Sequence, residues 1–314
     1  MDHIFSGYSS IEMSKVNITS RITRKKKKTI KAETFSNNTT CPSISKCAPG
    51  LEVNVNSCSC FSRDALKRIV KAWNTHNSSN LIKIKAKMTD KEIWNQIHER
   101  LKETCTNEMC WTNQDFLKTE KNLKELFRPE MPDSWNNNKH QWLNTDDIMK
   151  VMNQYETTYP NFEFIGPVPI DFDKTFSFGQ CVTDELCKID LNKLKHDKIN
   201  KIGVIFNLDP HDKPGSHWVS MFVDMSKKKI YYFDSYGMAP PKEIVTLIDR
   251  LKSQTEGYKS NINTTRHQYN NSECGMYSIY FVARLLEGYK YDDLVNNRIP
   301  DESVNKYRKI FYNA

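Results

Sequence analysis

The pattern of hydrophobic and polar positions predicts a β-hairpin in the second half of the chain. Two segments, His217 to Val223 and Ile230 to Phe233, are rich in aromatic and β-branched residues and are separated by a polar turn. If the turn is centred after Met225, His217 lies directly opposite Asp234, and opposed residues share a face with Cβ atoms about 4.5–5.5 Å apart. The pattern therefore predicts an imidazole beside a carboxylate at the open end of the hairpin.

A second pattern, from Gly275 to Leu286, is apolar over about three helical turns and ends before a glycine. Cys274 precedes it, where the positive end of the helix dipole favours a thiolate. Gln268 lies six residues before the cysteine in a polar loop, from which its amide can donate to a developing oxyanion. The order His, Asp, Gln, Cys-Gly indicates a nucleophilic site with a base, an orienting acid and an oxyanion donor.

Three other residues compete for these roles. His211 lies in a loop where nothing in the sequence fixes its orientation, and His267 neighbours Gln268 and is also explained by hydrogen bonds within the loop. Asp224 falls at the turn end of the hairpin, about 23 Å along the strand from His217. We therefore predict His217 and Asp234 as the base and its partner.

The remaining periodicity predicts a central, mostly antiparallel sheet with helices on its faces, an α+β fold. Residues 201–208 are predicted as a buried strand, and 162–172, rich in proline and glycine, as a loop or edge segment. Predicted helices follow at about 145–155, which begins near Thr145 and Asp146, and at 242–253, 291–296 and 302–312.

Composition divides the chain into three predicted parts. Residues 1–40 are polar and contain a basic run, 24–28, which predicts a disordered basic tail more strongly than a nuclear address or nucleic-acid contact. Residues 41–130 are predicted to form a small helical arm domain, with one helix after Ser62 and another opened by the capping box Thr89–Glu92. A breaker-rich linker, 128–140, leads into the catalytic domain, 131–314.

The 314-residue chain has a formal net charge of +8 and nine cysteines. It has no apolar run of about 20 residues and no apolar signal core, which predicts no membrane span and a reducing compartment. We therefore predict that the cysteines are thiols. Four of them lie between 41 and 60, but their spacing does not match a zinc site, and neither a metal nor an organic cofactor is predicted.

These residues resemble the ubiquitin-like-protein-specific cysteine proteases, the SUMO-protease and adenovirus-protease group, in which His, Asp, Gln and Cys occur in this order. Here Glu273-Cys274-Gly275 replaces the more usual Asp-Cys-Gly. The segments around Cys274 and Arg298 resemble most the polyprotein-processing proteases of African swine fever virus and related large DNA viruses, whose pattern has Asn where this chain has Asp234. The resemblance covers about residues 140–314.

The resemblance implies a cysteine endopeptidase of host cytoplasm and virion that cleaves after Gly-Gly in viral structural polyproteins. It also implies that Trp142, Trp218 and Asn144 contact the substrate, the two indoles forming a narrow channel, although Trp142 is equally explained as a core aromatic. Three alternatives remain: removal of SUMO or another ubiquitin-like modifier, acyl transfer by a Cys-His pair, and binding by an inactive protease scaffold.

Overall fold

The predicted hairpin lies at the centre of a five-stranded sheet in the computed structural model, which describes residues 46–51, 58–120 and 122–313. The strands are in sequential order: β1, Phe162–Pro169; β2, Lys201–Asn207; β3, Trp218–Asp224; β4, Lys229–Phe233; and β5, Lys259–Ile262. The two inner pairings are antiparallel, and the outer pairings, β1 with β2 and β4 with β5, are parallel. The predicted α+β class is confirmed, whereas the parallel outer pairings were not foreseen.

The register of the hairpin differs from the prediction. The structure pairs Ser220 with Phe233 and Asp224 with Lys229, so that four residues, 225–228, form the turn. Continuing this register places Asp234 opposite Val219, two residues from the predicted partner. Because side chains alternate between faces, a shift of two leaves every residue on its predicted face.

Helices cover both faces of the sheet. Helix α8, Cys274–Leu286, packs on one face with α4, Thr145–Thr158, and α7, Lys242–Gln254, packs on the other. Strand β3 serves both cores by alternation: Phe222 faces α8, and Val219, Met221 and Val223 face α7. The short helices are α5, Asp184–Cys187; α6, Leu191–His196; α9, Tyr291–Asn296; α10, Asp301–Asn305; and α11, Arg308–Phe311. The predicted helix 302–312 is therefore two helices.

The N-terminal described residues have a hydrophobic core of their own. Helix α1, Arg63–His76, begins after Ser62, whose hydroxyl accepts from Ala65 N; α2, Asp90–Leu101, begins at the predicted Thr89–Glu92 capping box; and α3 is Glu108–Thr112. The core runs from Cys47 to Phe127. All described residues lie in one compact unit, Phe35–Ala314, so that the boundary at 130 stays a prediction.

The prediction that the cysteines are thiols is wrong for most of those described. Disulfides join Cys47 to Cys60, Cys105 to Cys110, and Cys181 to Cys187, with Cα–Cα distances of 5.3, 5.4 and 6.3 Å, and Cys58 is also disulfide-bonded. These distances lie in the range that a disulfide needs. The fold brings together cysteines whose spacing in the sequence gives no sign of pairing. Cys274 is the free cysteine of the described part of the chain.

Several sequence predictions fall outside the described residues. These are the tail 1–40 with its basic run, and Cys41. Within the described ranges, no helix combines the length and apolar character that crossing a bilayer requires.

Candidate active site

His217 lies between Asp234 and Cys274, at the end of the central strands β3 and β4. Its Nε2 lies 2.7 Å from Asp234 Oδ1, and the neighbouring Cys274 contributes to raising the pKa of its ring. Because Nε2 contacts the carboxylate, Nδ1 is the ring nitrogen left to interact with the thiol. All three side chains are nearly buried, with exposed fractions of 12% for His217 and 2% for Asp234 and Cys274. The structure thus brings together the predicted nucleophile, base and orienting acid.

The surroundings of His217 favour its charged form. Burial alone would lower the pKa of the imidazole, but the hydrogen bonds to Asp234 and Cys274 outweigh it and raise the pKa to about 9. An imidazolium at neutral pH beside the sulfur is the arrangement that stabilises a thiolate.

The shifted hairpin register explains how His217 reaches Asp234. The two residues are diagonal neighbours on one face and are therefore farther apart than directly opposed residues. The imidazole and carboxylate side chains span this distance. In the turn that follows β4, the Tyr236 ring stacks on the His217 ring with centroids 4.8 Å apart. Tyr236 was missed from the sequence, although it follows the strand within the segment Asp-Ser-Tyr-Gly.

Cys274 is the first residue of α8 and packs into a crowded corner of the site. Gly275 follows it, and a Cβ there would lie 3.0 Å from Leu143 Cβ and 3.3 Å from Trp218 Cδ1. The Trp218 indole N–H donates to Leu143 O at 2.9 Å, which fixes the ring beside the start of the helix. A glycine after the cysteine therefore lets Trp218 and Leu143 approach the nucleophile closely.

Gln268 is fully buried beside the same site. Its Oε1 accepts from Ser235 Oγ at 2.6 Å, and its Nε2 donates to Asn270 O at 2.9 Å and contacts the Tyr236 hydroxyl at 3.4 Å. The contact of Nε2 with the Tyr236 hydroxyl is long, so that one amide hydrogen is weakly bound.

The loops after β4 and β5 are joined by hydrogen bonds that sequence reasoning missed. Asn263 accepts from Asp234 N and donates to Asp234 O, both at 2.8 Å. Ser235 O accepts from His267 N and Gln268 N, each at 2.8 Å. The orienting acid and the predicted oxyanion donor are therefore held by one network. Asn263 gave no signal in the sequence because β5 is short and polar.

The competing residues have other roles. His267 is fully buried, contacts Val295 O through Nε2 at 3.2 Å and accepts from Ile299 N through Nδ1 at 3.3 Å, and burial lowers its pKa. The expectation that nothing orients His211 is wrong, because Asp171 Oδ2 lies 2.7 Å from its Nδ1. Asp224 caps the hairpin turn by accepting from Lys227 N.

The predicted substrate-binding residues lie beside Leu143. Trp142 is 44% exposed, whereas Trp218 is 6% exposed. Asn144 is the N-cap of α4, where its Oδ1 accepts from Asp147 N at 2.8 Å in a capping box, a place that the sequence prediction gave to Thr145 and Asp146. Asn144 thus fixes the start of α4 directly after Trp142 and Leu143.

Glu273, which replaces the more usual aspartate before the cysteine, is fully buried. Its carboxylate accepts from Ser272 Oγ at 2.7 Å and contacts His140 Nδ1 at 2.9 Å. Through these contacts it links the start of α8 to the segment before Trp142. Across the described ranges, no three His, Cys, Asp or Glu side chains are grouped as metal ligands.

Comparison with known proteins places this geometry in a family. The sequence model of the Ulp1 protease family, C-terminal catalytic domain, matches residues 188–314. A protein of Acanthamoeba polyphaga mimivirus assigned as a thiol protease is 35% identical over 279 residues, 81% of this chain and 88% of the relative. The chain belongs to the Ulp1 family of cysteine proteases. It is therefore a thiol-dependent hydrolase, as predicted.

Other members of the Ulp1 family extend the likeness. A cysteine protease of African swine fever virus is 26% identical over 246 residues, 71% of this chain and 88% of the relative, and its counterpart in another isolate is named SUMO-1 cysteine protease. The crystal structure of the African swine fever virus protease shares the fold, with a TM-score of 0.58 and 21% identity over 85% of this chain and 95% of that one.

Proposed function

We propose that this protein is a cysteine endopeptidase in which Cys274 is the nucleophile, His217 the base, Asp234 the orienting acid and Gln268 an oxyanion donor. One observation carries the assignment: the His217 ring is 2.7 Å from a buried carboxylate and adjoins the cysteine that begins α8. No other described histidine combines these two contacts.

The proposed reaction follows from the two nitrogens of His217. The Cys274 proton passes to Nδ1, and the thiolate attacks the peptide carbonyl, forming a C–S bond. The oxyanion takes hydrogen bonds from Gln268 Nε2 and the Cys274 backbone N–H. The C–N bond then breaks, and the imidazolium gives its proton to the leaving amine. Water, deprotonated by His217, hydrolyses the thioester and regenerates the thiol. Asp234 stabilises the imidazolium throughout.

The approach to Cys274 favours residues without side chains. Trp218 is 6% exposed and donates to Leu143 O, and the neighbouring Trp142 is 44% exposed. Two indoles on either side of an extended substrate would leave no room for a Cβ. We therefore infer cleavage after Gly-Gly.

We infer a viral structural polyprotein as the substrate and host cytoplasm and virion as the places of action. The support is the coverage of the viral relatives, which this chain matches over 88% of their length. Deconjugation of a ubiquitin-like modifier is the second candidate, because one relative is named SUMO-1 cysteine protease. Both candidate substrates present Gly-Gly before the bond that breaks.

Peptide cleavage tests this proposal. The wild-type protein is expected to cut Gly-Gly-X peptides after the second glycine, and Cys274→Ala to abolish cleavage while the circular dichroism spectrum is unchanged. The double variant Cys181→Ala, Cys187→Ala, which removes a disulfide outside the site and leaves no new thiol, is the control for loss of cysteines. Equal cleavage of Gly-Gly and Ala-Ala peptides would contradict the narrow approach.

Intact proteins decide between the two substrates. SUMO precursor, ubiquitin precursor and recombinant viral core precursor are incubated with the protein, and the cut sites are read by mass spectrometry. We expect cleavage of the core precursor. Cleavage of SUMO alone would assign the protein to modifier deconjugation.

A further inference from the structure

Two arginines lie over one exposed tyrosine beside the proposed active site. The guanidinium carbon of Arg266 is 4.6 Å from the centroid of the Tyr269 ring, and that of Arg298 is 4.4 Å from it. All three side chains are exposed. The two cations are therefore separated by no more than about the Debye length in physiological salt, about 8–10 Å. Two like charges this close repel each other, and an anion bound to both would relieve the repulsion.

Each arginine is held in place by a hydrogen bond that its Nε donates, and its two terminal nitrogens point to no acceptor among the described residues. Arg266 Nε donates to Gln268 O at 2.8 Å, and Arg298 Nε donates to His267 O at 3.2 Å. Among the described residues, neither guanidinium has a carboxylate at ion-pair distance, and none of their terminal nitrogens makes a hydrogen bond. The planar fork of arginine matches a carboxylate in a bidentate pair.

The carboxylate that packs under this loop is already occupied. Asp301 Oδ2 accepts from Tyr269 N at 2.9 Å and from Asn270 N at 3.1 Å, and its Oδ1 accepts from the Tyr277 hydroxyl at 3.1 Å. These bonds fix the backbone of the loop and so fix the tyrosine that both arginines contact. The cationic surface is thus presented by a rigid loop.

The contacts around His217 separate this surface from the proposed Gly-Gly side of the site. Trp218 contacts Leu143 and adjoins Gly275, whereas Arg266 approaches His217 through Tyr236, so that the arginines are on the side we assign to the leaving chain. His217 must stand beside the leaving amine in order to protonate it. Arg266 lies 5.4 Å from the ring of Tyr236, which stacks on His217 at 4.8 Å.

We propose that Arg266 and Arg298 form a subsite that binds an aspartate or glutamate of the substrate about two to four residues after the scissile bond, at about 3.3 Å of extended chain per residue. This inference rests on the proposed endopeptidase function and adds a preference on the leaving side to it. Arg266 contacts the nearer residue and Arg298 the farther one. The carboxylate of an aspartate or of a glutamate can accept two parallel N–H hydrogen bonds from one guanidinium group.

Matched peptides test the subsite by cleavage. Each carries Gly-Gly before the scissile bond and Asp, Asn, Glu or Gln at one of five positions after it. We expect Asp and Glu at the second to fourth positions to raise kcat/KM about three- to tenfold over their amides, and 0.5 M NaCl to reduce that ratio because the charges are exposed. The ratio should fall to about one in the double variant Arg266→Gln, Arg298→Gln. The double variant Lys67→Gln, Lys71→Gln, which removes the same number of charges from exposed positions on helix α1 of the arm, should keep the wild-type ratio.

A binding measurement separates failure of the subsite from failure of the proposed function. Fluorescence anisotropy of the same labelled peptides on Cys274→Ala requires no cleavage. Tighter binding of the acidic peptide than of its amide, lost when both arginines are replaced, supports the subsite even if no Gly-Gly peptide is cut. Equal binding and equal cleavage of acidic and amide peptides overturn the subsite, while cleavage of all of them after Gly-Gly leaves the endopeptidase intact. An acidic preference that persists in the double variant also overturns it.

Discussion

Both hydrogen bonds to the Asp234 carboxylate in the site end on the same oxygen. Oδ1 lies 2.7 Å from His217 Nε2 and accepts from Tyr236 N at 2.9 Å. An asparagine that presents its carbonyl oxygen in that position keeps both bonds and loses only the charge. Tyr236 N also selects this orientation, because it can donate only to the oxygen.

We therefore predict that Asp234→Asn lowers kcat/KM much less than His217→Ala, which removes the base and should cost about 10³-fold or more. Measuring kcat/KM of both variants on one Gly-Gly peptide checks the prediction. Asp234→Ala is the control that removes the acceptor as well as the charge, and it should lie between them. An inactive Asp234→Asn beside a partly active His217→Ala would contradict the assigned roles.

The raised pKa of His217 predicts the alkaline limit of activity. Its hydrogen bonds outweigh burial and raise the pKa from 6.5 to about 9, so that the imidazolium is present at neutral pH and is lost as the pH rises through 9. This proton stabilises the folded state fully below about pH 6.5, and the stabilisation is lost as the pH rises from there through about 9. We expect kcat/KM to decline with an apparent pKa near 9, and the decline to begin at lower pH in Asp234→Ala. A wild-type profile that declines near pH 7 would contradict the prediction.

At the scale of single elements, the hairpin shows what can be read from sequence. The aromatic and β-branched residues identified β3 and β4, and the two-residue period of a strand gave the faces, whereas the length of the polar turn, which decides the register, has no such signature. The predicted partner of His217 was correct because the error was two residues, which preserves the face. Tyr236, which stacks on His217, was missed because it lies in the turn after β4 and not in a strand.

The junction between Cys274 and α8 is the element most sensitive to a small change. A Cβ on Gly275 would lie 3.0 Å from Leu143 Cβ, tighter than ordinary contact, and 3.3 Å from Trp218 Cδ1. We predict that Gly275→Ala displaces Trp218 and lowers kcat/KM on Gly-Gly peptides by about tenfold or more, since displacements of about 1 Å can have this effect. Trp218→Phe, which removes the indole N–H that bonds Leu143 O, should cost less. The measurement is kcat/KM together with the urea midpoint, and wild-type kcat/KM in Gly275→Ala would contradict the predicted displacement.

At the scale of the whole molecule, the pairing of strands that are distant in the sequence could not be predicted. Strand β5 is polar and only four residues long, so that its parallel pairing with β4 had no apolar signal. The three disulfides join cysteines 13, five and six residues apart, and none of these spacings by itself distinguishes a disulfide from two thiols. The helices of the arm could be predicted because their caps and apolar faces depend only on residues within each helix.

Thiol mapping tests the disulfides directly. Alkylation of the unfolded, unreduced protein should label Cys274, and the six described cysteines of the three disulfides should be labelled only after reduction. Peptide mapping by mass spectrometry gives the result for each cysteine. Protein purified with reductant is compared with protein purified without it. If Cys47 and Cys60 are labelled before reduction in both preparations, these two residues are thiols.

The arm offers a test of the predicted domain boundary. It meets the catalytic part through Gln154 Nε2, which donates to Phe127 O at 2.6 Å, and Thr158 Oγ1, which donates to Pro49 O at 2.6 Å. Residues 131–314 contain two hydrophobic clusters that are separate from that of the arm. We predict that deletion of 1–130 leaves a folded domain that cuts short Gly-Gly peptides but processes a folded precursor more slowly. Equal rates on both substrates would exclude a positioning role for the arm, and failure to fold would move the boundary.

The network between Asp234, Ser235, Asn263 and Gln268 has a consequence for the motions of the protein. Because Asn263 bonds both backbone groups of Asp234, and Ser235 O takes the amides of His267 and Gln268, neither loop can open without breaking the bonds of the other. In hydrogen exchange, the amides of Asp234, His267 and Gln268 should then exchange with one common opening free energy. The acid and the oxyanion donor would become available, or be lost, as a single cooperative unit.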